Sequence, residues 1–328
     1  MPPARRFLAL AARAAGAAAL AGLAAGAAAP LDYPARPVHI VVGFPPGQNA
    51  DIGARLIGDF LSRKLGQTFV VDNKPGAAST IGTEFVVHAP PDGYTLLWVV
   101  TSNYINTTLY RKLPYDFIRD IAPIACSTVT PLVMEVTPSL PVKTVPEFIA
   151  YAKAHPGELN MASGGIGNST HLAGELFQMM SGVKLTHVPY RGSTPAITDL
   201  MAGQVQVMFD LMGSSIAQIR NGKLRPLAVT TDHEVEALPR VPTLASFLPG
   251  YEASAAGGIG APAGTPPAII ARLNAAIEAA LQDAKIKARY DSLGSTPLLC
   301  TPEQFRAHIA RETEKWAKVI KFAGIKQQ

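Results

Sequence analysis

One stretch near the start of the chain constrains the fold more than any other. It begins Val38-His39-Ile40-Val41-Val42 and breaks at Pro45-Pro46-Gly47, where no strand ladder can continue. The uncharged, β-branched first part predicts a buried strand. After the break, apolar residues recur at helical spacing, at positions Ile52, Leu56, Ile57, Phe60 and Leu61. The sequence therefore predicts a strand that ends in a tight turn and leads into a helix.

The start of this predicted helix has two interpretations. Its first N–H groups lack helical partners and would lie at the carboxyl edge of the sheet, where anionic ligands bind in open α/β folds. Alternatively, Asn49 or Asp51 caps the helix, and the turn has no further role. Position in the sequence does not decide between ligand binding and capping.

The first 29 residues have the pattern of a signal peptide. Arg5 and Arg6 precede a run of almost only Ala, Leu and Gly that ends in small residues at Ala29. No cysteine occurs before Cys126, so cleavage would leave no cysteine to carry a lipid, and we expect a free and soluble mature protein. No later stretch is apolar for long enough to span a bilayer.

Removal of this leader changes the charge balance. The chain has 29 Lys+Arg and 24 Asp+Glu, and the leader carries three arginines and no acid, which leaves 26 against 24 and a net charge of +2. Such a small excess does not indicate a nucleic-acid or membrane-surface partner. The two cysteines, Cys126 and Cys300, do not form a disulfide framework, and we expect two buried thiols, although pairing stays open.

Strand and helix patterns alternate along the remainder of the chain, which predicts an α/β fold. The apolar run from Ala122 to Val136 is long for one strand, and we interpret it as a connection that leaves one sheet and enters another. The pattern then predicts two α/β units with a cleft between them. The first is discontinuous and spans 30–128 and 249–328, and the second spans 129–248 and is inserted into it.

A second glycine-rich turn, from Ser163 to Thr170, follows a short strand and precedes a helix. Its three glycines allow close backbone approach, and its serine, asparagine and threonine side chains supply short polar groups. A carboxylate suits such a turn because several N–H donors converge where the helix dipole favours negative charge. We predict that this turn holds a ligand carboxylate and that Ser163 is one of its donors. The alternative is a flexible capped loop.

Catalytic motifs are absent from the sequence. Gly165-Ile166-Gly167 lacks the third glycine of a dinucleotide fingerprint, and no Gly-Lys-Ser/Thr phosphate loop occurs. None of the seven histidines forms a close metal-ligand pair, so we expect neither a metal nor a cofactor. Ser169 and His171 are close in sequence, but no Gly-x-Ser-x-Gly elbow surrounds them, which leaves a secreted hydrolase as a distant alternative.

Ten short motifs, in order, give the sequence a specific resemblance. They are Tyr33-Pro34-x-Arg36-Pro37, Gly43-Phe44-Pro45-Pro46-Gly47 with Asp51, Asp72-Asn73-Lys74-Pro75-Gly76-Ala77, Pro91-Asp92-Gly93-Tyr94-Thr95-Leu96, Leu113-Pro114-Tyr115-Asp116, Ser163-Gly-Gly-x-Gly167 with His171-Leu172-Ala173-Gly174-Glu175, Val188-Pro189-Tyr190-Arg191-Gly192-Ser193, Met208-Phe209-Asp210, Leu238-Pro239-x-Val241-Pro242-Thr243 and Ala261-Pro-Ala-Gly-Thr-Pro266. Together they resemble the Bug family of periplasmic solute-binding receptors, which serve tripartite tricarboxylate transporters.

The resemblance implies a two-domain type II periplasmic binding protein fold that closes on a small carboxylate and delivers it to membrane transporter subunits. It implies a monomer that works without catalysis. The main alternative is a receptor that signals to a sensor kinase instead of serving transport. In such a fold the loop from Phe44 to Asp51 and the loop from Ser163 to Thr170 approach the ligand from opposite domains. The candidate ligand-binding residues are then Phe44, Gly47, Gln48, Asn49, Asp51, Ser102, Ser163, Gly165, Gly167, Asn168, Ser169, Thr170, His171 and Asp210.

This sequence departs from the family pattern in both loops. Gln48, Asn49 and Ala50 stand where glycines and a hydroxyl residue are common, and Gly164 and Asn168 stand where hydroxyl residues are frequent. We expect Gln48 and Asn49 to narrow the pocket or to bind the ligand. The sequence does not identify the carboxylate.

Overall fold

A computed structural model describes residues 32–327, which alternate between strands and helices. The predicted signal peptide lies outside the described residues. The strands are β1 (Val38–Val42), β2 (Phe69–Asn73), β3 (Thr95–Val99), β4 (Ile121–Val136), β5 (Asn160–Ser163), β6 (Thr186–Pro189), β7 (Val207–Leu211), β8 (Arg225–Val229), β9 (Ser254–Pro262) and β10 (Thr296–Pro297). The helices are α1 (Asn49–Leu65), α2 (Thr80–Val87), α3 (Thr101–Leu109), α4 (Phe117–Asp120), α5 (Val145–Ala154), α6 (Ser169–Ser181), α7 (Ser193–Met201), α8 (Met212–Arg220), α9 (Pro267–Gln282), α10 (Ala284–Ser292) and α11 (Pro302–Phe322), and short 3-10 turns cover Ala77–Ser79 and Leu244–Ser246.

The strands follow one continuous path of pairing, in the order β2-β1-β3-β9-β4-β7-β5-β6, and β8 and β10 also pair with β4. The pairs β1–β2, β1–β3, β5–β6 and β5–β7 are parallel, whereas β4 and β9 pair antiparallel with their neighbours. Parallel pairing places the carboxyl ends of β1, β2 and β3 at one edge, and those of β5, β6 and β7 at another. Each of these edges therefore receives several helix N-termini.

Strand β4 joins the two parallel groups. Residues 121–131 pair with β9, and residues 132–136 pair with β7, so the strand leaves one group of strands and enters the other. The pairing register with β9 shifts twice, next to Pro123 and between Cys126 and Thr128. Such bulges bend a strand and accommodate residues that cannot donate to the ladder. The interpretation of this run as a connection between sheets is confirmed, although it forms a single strand. The domain bounds given above stay a prediction.

Helix α11 supplies much of the apolar packing beneath these strands. Its N-terminus has a capping box, in which the Thr301 hydroxyl accepts the Gln304 N–H and the Gln304 side chain accepts the Thr301 N–H. Its buried side chains recur at helical spacing and pack in the core with residues of α3 and α6, at positions Phe305, Ile309, Trp316, Val319 and Ile320. The sequence pattern predicts a helix from Pro302 to Phe322, and the structure confirms these bounds.

The predicted apolar stripe of α1 is only partly buried. Ile57 and Leu61 are fully buried, but Ile52, Leu56 and Phe60 are half-buried. Small residues complete the buried face: a Cβ at Gly53 would lie 2.7 Å from the Trp98 ring. Glycine therefore lets the helix approach β3 closely.

The sequence pattern predicts neither α3 nor α8. It predicts a strand from Tyr94 to Val100 that Thr101-Ser102-Asn103 ends, but these three residues begin α3. Cys126 and Cys300 are not free thiols but form a disulfide with Cα atoms 5.5 Å apart across 174 residues of sequence. It ties β4 to the segment that precedes α11. Within residues 32–327, no helix combines the length and the apolar character needed to cross a membrane.

Candidate functional site

The first glycine-rich loop, residues 43–48, connects β1 to α1 at the edge shared with β2 and β3. Gly47 has φ +83°, a left-handed conformation that favours glycine. Phe44 is half-buried, whereas Gln48 and Asn49 are exposed. Gln48 occupies the N-cap position of α1, and its side chain makes no capping hydrogen bond. Among the described residues, no acceptor binds the N–H groups of Asn49, Ala50 and Asp51, because the first helical bond runs from Ile52 to Gln48.

Asp51 holds this loop in place. Its carboxylate accepts the Gly47 N–H at 2.9 Å, the Asn73 amide at 2.9 Å and the Arg55 guanidinium at 2.9 and 3.1 Å. The Asn73 amide also donates to the Phe44 carbonyl. Burial alone would raise the pKa of Asp51, but hydrogen bonds from Arg55, Gly47 and Asn73 outweigh it and lower the pKa. Both carboxylate oxygens are occupied, so Asp51 acts on the loop itself and leaves the N–H groups of α1 free.

A strained turn adjoins the same loop. Ala77, Ala78 and Ser79 all have positive φ, at 44°, 50° and 79°, which is costly for residues that carry a Cβ. A Cβ at Gly43 would overlap the Ser79 side chain, so the glycine permits this close contact. The run of positive φ had no clear signal in the sequence beyond the preceding Pro75-Gly76.

Hydrogen bonds from side chains of helix α3 hold the strained turn in place. The Asn103 amide donates to the Ser79 hydroxyl at 3.1 Å and to the Thr83 hydroxyl at 2.8 Å. The Asn106 amide donates to the Ala78 carbonyl at 2.9 Å. Ser102, the residue predicted for the site, is half-buried next to Asn103, whereas Asn103 and Asn106 were not predicted. Buried asparagines at i and i+3 on a helix were the signal that could have found them.

The second glycine-rich loop, residues 163–168, connects β5 to α6 and satisfies most of its own polar groups. Asn168 caps α6 by accepting the His171 N–H at 3.0 Å, and it also accepts the Thr170 hydroxyl at 2.7 Å. The Thr170 hydroxyl in turn accepts the Gly164 N–H at 2.8 Å. The caps therefore occupy donors that the sequence analysis assigned to a ligand.

Ser163 and His171 lie beneath this loop. Ser163 is fully buried, and its hydroxyl lies 2.7 Å from His187 Nε2. His171 Nδ1 accepts the Gly167 N–H at 3.0 Å, so this nitrogen carries no proton there. The two imidazole rings stack with centroids 3.7 Å apart. Burial and the neighbouring His171 lower the pKa of His187 to about 4.

The groups that the second loop leaves accessible are few. Gly165 and Ser169 are half-buried, and the Ile166 side chain is 52% exposed. Gly165 and Gly167 have φ +143° and +75°. A Cβ at Gly167 would lie 2.5 Å from Leu109, so the loop contacts the end of α3. Helix α3 thus touches both halves of the candidate site, at Asn103 on one side and at Leu109 on the other.

Asp210 lies within β7 and is fully buried. It accepts hydrogen bonds from the hydroxyls of Ser193, the first residue of α7, and Ser215 in α8. Burial raises the pKa of Asp210 to about 6, against these hydrogen bonds. The structure therefore places Asp210 below the start of α7 rather than at the surface of a cleft.

The arrangement offers backbone N–H donors and hydroxyls for an anion. Within residues 32–327, no group of three His, Cys, Asp or Glu side chains could hold a metal ion. In the same part of the chain, no hydrogen bond joins Ser169 to His171, the pair considered for a hydrolase. The Ser–His contact that does form, Ser163 with His187, is covered by the loop.

Comparison with known proteins agrees with this geometry. A family model described as the tripartite tricarboxylate transporter family receptor matches residues 53–325. Protein BugT of Bordetella pertussis is 38% identical over 308 residues, which cover 92% of this chain and 94% of BugT.

Solved structures extend the likeness to the fold. Rpa4515 of R. palustris, solved with adipate, has a TM-score of 0.78 at 37% identity over 89% of this chain and 99% of its own. MatC from Rhodopseudomonas palustris, solved with bound malate, has a TM-score of 0.75 at 32% identity over 88% of this chain and 100% of its own. Both support the two-domain periplasmic binding protein fold and a solute-binding function. The chain therefore belongs to the tripartite tricarboxylate transporter receptor family, as the resemblance to Bug receptors predicted.

Proposed function

We propose that this protein captures a small organic dicarboxylate in the periplasm and delivers it to the membrane subunits of a tripartite transporter. The observation that carries the proposal is the open N-terminus of α1, where Asn49, Ala50 and Asp51 present N–H groups without acceptors among the described residues. The α1 dipole favours a negative charge at this point. The two relatives solved with adipate and malate both hold dicarboxylates, which agrees with an anionic group at each end.

In this proposal one ligand carboxylate binds at the start of α1, and the second binds at the other glycine loop. Gln48 and Asn49 are exposed at the first position and would contact the ligand with their side chains. At the second position the ligand would meet the Ser169 hydroxyl and the backbone near Gly165 and Ile166. Asp51, Ser163, His171 and Asp210 then position the loops, since their polar atoms already have protein partners.

Closure of the two domains would follow from this division of contacts. A ligand that touches groups in both domains binds the closed form better than the open one and shifts the population toward it. The proposed monomer needs no metal, cofactor or catalytic step for that cycle. The membrane partner would recognise the closed form.

Calorimetry with adipate, malate and their uncharged diamides tests the binding step. We expect one dicarboxylate to bind in a 1:1 complex and its diamide to bind at least a hundredfold more weakly. At a hundredfold excess over the dissociation constant, the acid should stabilise the fold by about 2.7 kcal/mol. Equal binding of acid and diamide, or no binding of any acid together with turnover of ester substrates, would overturn the proposal.

Uptake measurements test the delivery step. Cells that carry the membrane subunits and this receptor should accumulate the labelled acid identified by calorimetry. Cells with a receptor that carries Asn49→Pro should lose most of this uptake. Uptake that does not depend on the receptor would indicate a signalling role instead.

A further inference from the structure

Two buried carboxyl groups, Glu135 on β4 and Asp210 on β7, both contact the hydroxyl of Ser215 in α8. Glu135 and Asp210 are both fully buried. In the antiparallel register, Val133 lies opposite Asp210 and Glu135 lies opposite Met208, so the two acids share one face of the sheet. Helix α8 covers that face with Met212 and Ser215.

The hydrogen atoms available to this pair are too few for two ionised carboxylates. Ser215 Oγ lies 2.7 Å from Glu135 Oε1 and 3.1 Å from Asp210 Oδ2, but a serine hydroxyl has one proton to donate. If both acids were ionised, one of these contacts would join two oxygens without a proton. If Glu135 is protonated, each of the two contacts has a proton, because Glu135 donates to Ser215 and Ser215 donates to Asp210.

The surroundings of Glu135 agree with a neutral side chain. Its second oxygen, Oε2, is buried and has no hydrogen-bond partner among the described residues, which would be costly for a charged oxygen. Asp210 is the only other charged group on β4 or β7. On β8 and α8 the charged groups are Arg225 and Arg220, and both donate to backbone carbonyls elsewhere.

We propose that Glu135 stays protonated and acts as a positioning residue, through the chain Glu135–Ser215–Asp210–Ser193, for the start of α7 and the second glycine loop. Backbone hydrogen bonds then connect the residues next to Ser193 to the second glycine loop. Ser193 follows Gly192, whose N–H donates to the Gly164 carbonyl at 3.1 Å, and the Tyr190 N–H donates to the Ser163 carbonyl at 2.9 Å. The part of this inference that concerns the ligand rests on the proposed function, but the proton on Glu135 does not.

The electrostatic setting supports the assignment of the proton. Burial raises the pKa of Glu135 well above its usual value, and the neighbouring Asp210 raises it further. Burial raises the pKa of Asp210 to about 6, against hydrogen bonds from Ser193, the Leu211 backbone and Ser215, whereas only Ser215 faces Glu135. These directions agree with a shared proton on Glu135.

Stability as a function of pH tests this proton without a ligand. The folded state holds a proton that the unfolded state releases above its ordinary value of 4.5, so stability falls as pH rises. With its pKa of about 6, Asp210 is mostly ionised from pH 7 upward, so the pH dependence above pH 7 belongs chiefly to Glu135. Between pH 7 and 8, the equilibrium constant for unfolding of the parent should rise about tenfold per pH unit more than that of Glu135→Gln. The exposed control Glu158→Gln should follow the parent.

Infrared spectroscopy at pH 8 gives a second readout of the same group. The parent should show the C=O band of a protonated carboxyl, and Glu135→Gln should lack it. Absence of this band from the parent, or parallel pH profiles for the parent and Glu135→Gln, would overturn the proposed proton.

Hydrogen exchange tests the positioning role, again without a ligand. Amides of residues 163–170 should exchange about tenfold faster in Ser215→Ala and in Glu135→Leu than in the parent. Glu135→Gln should retain the parent's protection because its amide can donate to Ser215. If Glu135→Gln loses protection as Glu135→Leu does, or if Ser215→Ala exchanges as the parent does, the chain does not position the loop.

Discussion

The two glycine-rich loops have the same local architecture, a parallel strand that turns into a helix, yet they use their polar groups in opposite ways. In the first loop, Asp51 gathers the Gly47 N–H and the side chains of Asn73 and Arg55, and the N-terminus of α1 stays open. In the second loop, Asn168 caps α6, and the polar residues bond to one another. The difference teaches that glycine and hydroxyl content alone does not show how many N–H groups a loop leaves for an anion, because the Asn168 cap occupies a donor of α6 whose counterpart in α1 stays open.

Removal of the disulfide should give the largest change in stability and leave the difference between the loops intact. The bond closes a loop of 174 residues, and native disulfides of this kind contribute about 3–5 kcal/mol. Denaturant unfolding of the Cys126→Ala, Cys300→Ala double variant should show that loss. Its ligand affinity at low temperature should match that of the parent, and a large loss of affinity would mean that the disulfide also shapes the site.

Asp51→Ala should disrupt the first loop more than any single change disrupts the second. The variant leaves the Gly47 N–H, Asn73 and Arg55 without their acceptor, at a cost of about 3 kcal/mol. We also expect dicarboxylate affinity to fall more than tenfold, because the loop is no longer held. Asp59→Ala, an exposed position on the same helix, should stay within about 0.5 kcal/mol of the parent. Equal effects of the two variants would show that Asp51 does not position the loop.

The second loop should be sensitive to acid through His187. Its folded pKa of about 4 lies below the ordinary 6.5, so the unfolded state binds more protons in this window and stability falls as pH drops below 6.5. Between pH 8 and pH 5, the parent should lose about 2 kcal/mol more than His187→Gln does. Denaturant titrations at both pH values measure this difference, with the exposed His88→Gln as control. If the parent and His187→Gln lose the same stability between pH 8 and pH 5, the His187 imidazole is not buried and uncharged in the folded state.

Ser163→Ala should have the smallest effect. The hydroxyl lies next to His187 and the Gly165 backbone rather than at the surface, so its removal should cost about 1 kcal/mol of stability. Dicarboxylate affinity measured by calorimetry should fall less than tenfold. A hundredfold loss without loss of stability would restore the original prediction that Ser163 contacts the ligand.

The sequence predicted elements whose own pattern is strong. Helix α11 has the predicted bounds because its apolar period and capping residues agree, and β1 followed by α1 was recognised from its turn. Helix α3 was missed because Thr101, Ser102 and Asn103 are weak helix formers, and its packing against the strained turn and α11 decides its conformation. Tertiary contacts override local preference there.

The roles of site residues were harder to predict than the site itself. The sequence located both loops, but it could not show that Ser163 meets His187 or that Asp210 meets Ser193 and Ser215. Tertiary packing brings these partners together from different strands, helices and loops, as it does Cys126 and Cys300. Whether a polar residue faces a ligand or a neighbour depends on such contacts.

A pair of proline substitutions tests the central claim, that the first loop offers an open anion site and the second a largely closed one. Proline is tolerated at the first helical position, as Pro267 and Pro302 show in α9 and α11, and it removes one N–H. Asn49 and Ser169 occupy that position in α1 and α6, and each follows an extended residue that suits proline. Both variants should fold with the parent's stability.

Calorimetry with the dicarboxylate that binds the parent gives the decisive comparison. A hydrogen bond to a charged group contributes about 1.5–3 kcal/mol, so Asn49→Pro should lower affinity about ten- to hundredfold. Ser169→Pro should lower it less than Asn49→Pro does. If Ser169→Pro causes the larger loss while Asn49→Pro binds as the parent does, the ligand carboxylate is held chiefly by the second loop, and the open N-terminus of α1 is not the anion site.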